Sequence, residues 1–201
     1  PGNIRELENL MRRLAERPAN VMFITGNVVL YGATGSMAIE TFAGAVGSDD
    51  NMARAAVVLV ILAFFLKAAI VPFHAWAPDA YEAASIPVTA YMATIVKAAV
   101  LLAALRLFAD ASAPRPALDL LAVLPLASMV WGNLTAMRQD GLRRVLAYSS
   151  IAHAGYLFFA LLGAGPGRYE AVVFYLLAYG LMNVLAFAAV PTGGDEATCD
   201  R

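Results

Sequence analysis

Residues 55–81 read AAVVLVILAFFLKAAIVPFHAWAPDAY, and the reading of this stretch decides the fold. Between Ala55 and Pro78 the only Asp, Glu, Lys or Arg is Lys67. A bilayer crossing needs roughly 20 mostly apolar residues, so the stretch is long enough to span. Pro72 cannot continue the helix, because it lacks a backbone N–H and its ring clashes with the preceding turn. It is followed by Phe73-His74-Ala75-Trp76-Ala77-Pro78-Asp79, a short apolar segment with two polar rings. The sequence therefore predicts a membrane helix from Ala55 to about Tyr81, broken at Pro72. Lys67 falls at its midpoint and His74 at the break.

The rest of the chain reads the same way. Pro18–Ile39, Leu120–Met137, Val145–Gly167 and Ala171–Gly194 carry no Asp, Glu, Lys or Arg, and Ala83–Leu105 carries only Lys97. The fold class expected is all-α, a polytopic membrane bundle of about six transmembrane helices with one broken at Pro72. A set of buried helices in a soluble core is the rival, but 201 residues could not shield six such helices. Composition agrees. Hydrophobic residues make up 61% of the chain and charged residues 14%, against about 25% charged in an ordinary globular chain. A formal net charge of −1 gives no electrostatic case for nucleic acid. One cysteine, Cys199, excludes an internal disulfide framework, and two histidines without a supporting cluster give no expected metal site.

Three segments follow: a polar, amphipathic one over 1–17, a transmembrane domain over 18–190 and a polar tail over 191–201. In the first, Ile4, Leu7, Leu10, Met11 and Leu14 recur at helical spacing, as in a surface helix. No pattern of basic n-region, apolar core and cleavage site opens the sequence, so no signal peptide is expected. Gly47-Ser48-Asp49-Asp50, Pro114-Arg115-Pro116, Gln139-Asp140-Gly141 and Gly163–Gly167 are the expected connections. With alternating spans, Arg5, Arg12, Arg13, Arg17, Arg138, Arg143, Arg144 and Arg201 fall on the side of the N-terminal segment. Arg54, Arg106, Arg115 and Arg168 fall on the other. Eight against four makes the first side cytoplasmic or matrix-like.

The two lysines stand apart from the arginines. Almost every arginine sits in a loop or at a span end, whereas Lys67 and Lys97 lie inside apolar windows. Arginine does not release its proton in a protein; a desolvated lysine can. Placing a lysine at the bilayer centre costs about 3 kcal/mol on insertion scales, so the position needs a reason. Two such amines on consecutive helices suggest a proton relay. Snorkelling to the interface is the rival for Lys67, near Pro72; for Lys97, deep in its span, that escape is poor. His74 reads either as a proton-exchanging group at the break or as an interfacial residue bonded to a carbonyl. His153 sits in Ala147-Tyr148-Ser149-Ser150-Ile151-Ala152-His153-Ala154-Gly155-Tyr156, the most polar stretch of any span. That stretch reads as part of a hydrated path or as a hydrogen-bonded packing element. Asn183, and Asn133 with Thr135, read as interhelical hydrogen-bonders. No acidic residue lies deep in a span, so a carboxylate partner for the lysines is expected from another chain or segment.

Residues 65–81, Pro87-Val88-Thr89-Ala90 through Lys97, and Arg144 through Tyr156 together resemble the antiporter-like proton-translocating subunits of respiratory complex I, nearest their subunit-N branch. The larger subunits of that family usually have glutamine where His153 stands. The resemblance covers roughly residues 27–190 and implies a partial member, since the family's helix set exceeds six. It implies that Lys67 is the protonatable lysine of a first half-channel and that Lys97 passes protons toward the centre. It further implies that His153 lies on or near a hydrated axis. The implied activity is proton translocation by a non-redox subunit of an NADH–quinone oxidoreductase, a translocase whose redox chemistry occurs elsewhere. Nothing in the sequence binds flavin, nicotinamide or an iron–sulfur cluster, so no cofactor is expected. The implied partners are other membrane subunits, the lipid bilayer and protons, in a bacterial inner or mitochondrial inner membrane. A cation/proton antiporter or membrane-hydrogenase subunit, and a structural membrane subunit without transport, are the alternatives.

Overall fold

The computed structural model describes residues 2–36, 38–108, 121–163 and 167–190, with side chains from residue 18 onward. Every regular element among them is helical. Helix α1 is Gly2–Thr34, α2 Ile39–Val46, α3 Asn51–Ala68 and α4 Trp76–Ala83. Helix α5 is Ile86–Phe108, followed by α6 Val123–Ala136, α7 Leu142–Leu162 and α8 Arg168–Ala188.

Four of these, α3, α5, α7 and α8, are long and apolar enough to cross a membrane. Pro18–Thr34 with Ile39–Val46 passes the same test as a bent pair, giving up to five. The remaining expected span, Leu120–Met137, whose first residue lies outside the described residues, forms as the 14-residue α6. Six is therefore an approximate count. The boundary expected between residues 17 and 18 is not a helix end, since α1 runs through Pro18 and stops only before Gly35, at φ 72°.

Local sequence sets the ends of α3. Asp50 caps it, its carboxylate accepting from the backbone N–H of Met52 at 3.2 Å and of Ala53 at 3.1 Å. Two donors that a helix start leaves without partners are thereby satisfied. At the other end Ala69 takes a left-handed conformation, φ 62°. The Ile70 N–H returns to the Phe65 carbonyl and the Ala69 N–H to that of Leu66, a Schellman closure that glycine usually makes. The chain turns over residues 69–75 before α4 begins, with a cis peptide at Val71–Pro72. The break thus contains Pro72 as expected but opens three residues earlier. Lys67 lies in the last turn of α3 rather than at the middle of a longer helix.

Two pairs of helices make close backbone crossings through glycine. A Cβ on Gly26 of α1 would meet Val60 Cγ2 at 2.8 Å and the Ala56 carbonyl oxygen at 3.1 Å on α3. A Cβ on Gly155 of α7 would meet the Pro125 carbonyl oxygen of α6 at 2.7 Å, and one on Gly132 of α6 the Ala152 nitrogen of α7 at 2.8 Å. Small residues at helix crossings, giving close van der Waals contact, are how bundles cohere in lipid. Phe65 meets Phe158 edge-on at 5.3 Å and Phe42 meets Phe108 at 5.6 Å, within a core that includes Val57, Ile61, Leu101 and Leu161. Outward, Phe174, Leu177 and Leu181 of α8 and Val130, Trp131 and Leu134 of α6 are exposed. Faces of this kind suit hydrocarbon and would be a liability in water.

Candidate functional site

Lys97 is the buried cation of the described residues, 3% exposed. It follows a π-helical turn, Met92–Val96, inside α5; single π turns within α-helices recur at functional sites. Its Nζ donates to the main-chain oxygen of Ser150 at 2.6 Å and also to Ser150 Oγ. Both partners are neutral. The serine hydroxyl accepts from an ammonium and can rotate to donate to a neutral amine, so either protonation state of Lys97 keeps a hydrogen bond here.

Other polar side chains gather round the same serine. Tyr81, at the far end of the broken helix, places its hydroxyl 3.3 Å from Ser150 Oγ. Tyr179 of α8 faces Ser150 and Asn183. Its hydroxyl and the Asn183 amide nitrogen are buried and make no direct hydrogen bond. The Asn183 amide nitrogen thus makes no interhelical hydrogen bond among the described residues. Asn133 does bond between helices, donating to the Tyr156 hydroxyl at 3.4 Å and, within its own helix, to Met129 O at 2.9 Å.

His153 lies one helical turn beyond Ser150, on the same side of α7. Its Nδ1 shares a hydrogen bond with the Tyr175 hydroxyl at 2.7 Å, and its ring sits 4.8 Å from that of Tyr179. Tyr175, Tyr179 and Asn183 are spaced at i, i+4, i+8 along α8, so they form one polar stripe against α7. Lys97 and His153 thus border the same polar knot. Tyr175 and Tyr179 were missed by sequence reasoning. Their helical spacing in an otherwise apolar span was the available signal.

Lys67 and His74 belong to the break. Lys67 is half-buried in the last turn of α3, where the C-terminal end of the helix dipole favours a cation. His74 is half-buried, its ring edge-on to Trp131 at 6.3 Å, and its Nδ1 is buried without a hydrogen-bond partner. The turn is pinned on both sides: Val71 N–H donates to Ser128 Oγ of α6 at 2.7 Å, and Trp76 Nε1 to the Leu66 carbonyl at 3.1 Å. Ile151, the residue after Ser150, packs in one buried cluster with Ala69 and Ala77. Helix α7 therefore touches the break with one residue and Lys97 with the one before it.

At the start of α7, Arg144 pairs with Glu82 at 2.9 Å and Asp79 at 3.2 Å, and Arg143 donates to the Glu82 carbonyl at 3.2 Å. These contacts tie the end of α4 to α7. No group of three or more His, Cys, Asp or Glu among the described residues is arranged to hold a metal ion.

Residues 10–197 match the family described as NADH:quinone oxidoreductase/Mrp antiporter, TM. NADH-quinone oxidoreductase subunit N of Pelobacter propionicus is 41% identical over 180 residues, covering 89% of this chain and 39% of that protein. Respiratory complex I from Thermus thermophilus, solved with bound aureothin, contains a chain 40% identical with a TM-score of 0.74, covering 91% of this chain and 39% of that one. The Mrp complex from Dietzia sp. contains a chain 27% identical with a TM-score of 0.84, covering 93% of this chain and 35% of that one. This chain spans about two fifths of the length of the relatives that it matches.

Proposed function

Because this chain belongs to the NADH:quinone oxidoreductase/Mrp antiporter family of multi-pass membrane proteins, we propose that it translocates protons as a non-redox part of an NADH–quinone oxidoreductase. Identity to subunit N at 41% supports that branch. The observation that carries the mechanism is Lys97, buried and hydrogen-bonded to the neutral Ser150. In this reading Lys97 accepts and releases a proton in the middle of the bundle, and His153 extends the path along α7. Lys67 and His74 exchange protons at the break around Pro72, where a half-helix end and turn carbonyls lie beside them. Quinone reduction takes place on other subunits of the same membrane complex.

The test is proton pumping by the assembled complex in closed membrane vesicles, followed with a pH-gradient dye while quinone reduction is monitored. Lys97→Ala is expected to lower the protons moved per quinone reduced by several fold. Undiminished pumping overturns the reading and leaves a structural subunit.

A cation/proton antiporter is a second reading, supported by the TM-score of 0.84 to the Mrp chain. Sodium separates the two. Proton movement that requires sodium on the opposite face favours the antiporter, and movement indifferent to sodium favours the oxidoreductase.

A further inference from the structure

Two buried donors in the polar knot stand unsatisfied, the Tyr179 hydroxyl and the Asn183 amide nitrogen. Tyr179 is 4% exposed and Asn183 5%, yet neither atom makes a hydrogen bond among the described residues. A buried donor left without a partner costs about 1–3 kcal/mol, so two side by side in one helix stripe need an explanation. The surroundings are polar: Tyr81 and Lys97 meet at Ser150, and the His153 ring lies 4.8 Å from that of Tyr179. The Tyr179 hydroxyl faces Ser150 and Asn183 without reaching either in direct hydrogen-bond geometry. Buried donors in a polar setting are commonly satisfied by an internal water, which needs two to four polar partners.

We infer that Tyr179 and Asn183 position one internal water that relays protons between the Lys97–Ser150 pair and His153. The inference rests on the proton-translocating function proposed above. In the relay step the Lys97 ammonium gives a proton to the water while the water gives one of its own to the imidazole. With Nδ1–H donating to the Tyr175 hydroxyl, Nε2 is the nitrogen that accepts. Lys97 is left neutral, His153 cationic and the water unchanged. Tyr179 and Asn183 are positioning residues: they hold the water in line and keep their own protons.

The experiment is performed on the assembled complex with Tyr179→Phe and Asn183→Leu. Each keeps approximate shape and removes one water contact. Phe174→Leu on the exposed face of α8 is the control, Asn183→Ser the polar rescue and Lys97→Ala the test of the parent reading. Protons moved per quinone reduced are expected to fall several fold in Tyr179→Phe and Asn183→Leu. Quinone reduction in uncoupled vesicles should stay within about twofold. Asn183→Ser should recover part of the pumping, and the control should be unaffected. A packing defect would not show that polar rescue. Normal pumping in both α8 variants with loss in Lys97→Ala overturns the inference and leaves the parent reading standing. Normal pumping in Lys97→Ala overturns both. Should the variants fail to assemble, a high-resolution map of the unsubstituted complex decides. Water density within about 3.2 Å of both Tyr179 Oη and Asn183 Nδ2 supports the inference; a dry site, or a direct bond between the two, overturns it.

Discussion

Lys97 was conspicuous in the sequence because a charge inside an apolar window is expensive, and expense of that kind is visible without coordinates. Ser150 was only one polar residue among several in its stretch. What singles it out is tertiary, an amine from α5 meeting its carbonyl and hydroxyl across the bundle. Tyr179 was easy to pass over for a related reason: tyrosine is tolerated in apolar helices, so only its spacing from Tyr175 and Asn183 marked it until its hydroxyl was found buried. Two outcomes follow at this scale. Lys97→Arg keeps the charge but replaces a group that can release its proton with one that does not. It is expected to assemble and to pump several fold less per quinone reduced, as Lys97→Ala does; full pumping by the arginine variant would remove proton release from the mechanism. Ser150→Ala removes the hydroxyl and keeps the carbonyl. Losing one hydrogen bond to a charged partner amounts to about 1.5–3 kcal/mol, so pumping is expected to slow by roughly tenfold or more. Ser150→Thr, which restores the hydroxyl, should recover most of it.

At the scale of elements, proline was the legible signal for the break and alanine the hidden one. Pro72 announces that a helix cannot continue, but the left-handed residue that ends α3 is Ala69, and alanine carries no mark of that conformation. Its placement follows from burial: Ala69 is fully enclosed, in one cluster with Ala77 and Ile151, where a larger side chain would not fit. The α6–α7 crossing was equally hard to read, since the glycines that allow it are two among fifteen. It supplies a sharp contrast. A methyl on Gly155 would press on the backbone of Pro125 at 2.7 Å and Met129 at 3.0 Å, and neither can move cheaply, whereas one on Gly180 of α8 would meet nothing within 4 Å. Gly155→Ala is therefore expected to cost about 1–3 kcal/mol and to lower the melting temperature of the detergent-solubilised complex. Gly180→Ala should leave it unchanged or slightly raised, helix propensity favouring alanine by up to about 1 kcal/mol. Equal melting for the two variants would mean that α6 and α7 are not in close contact.

For the whole molecule the open quantity is how many times the chain crosses the bilayer, and α6 decides it. Fourteen residues at 1.5 Å each give about 21 Å of helix, short of a hydrocarbon core of about 30 Å. Length alone would leave α6 within one leaflet. The ion pairs argue otherwise. Arg144 opens α7, Asp79 and Glu82 lie on α4, and the three meet within 3.2 Å, so both segments end at the same face. Between residues 82 and 144 the described helices are α5 and α6. Helix α5 has the length to cross, and among the described helices α6 is the one placed to return the chain to the same face. Thinning of the bilayer around a short helix makes this feasible for a fraction of a kcal/mol per ångström of mismatch. Residue 49, before α3, and residue 138, after α6, are then separated by three crossings and lie on opposite faces. In a Cys199→Ser background, Asp49→Cys and Arg138→Cys are expected to react with a membrane-impermeant maleimide in vesicles of opposite orientation. Arg138→Cys should react from the side that carries the N-terminal segment. Labelling of both from one face would mean two crossings, an α6 that dips without passing through, and a break helix whose far end does not share a face with the start of α7.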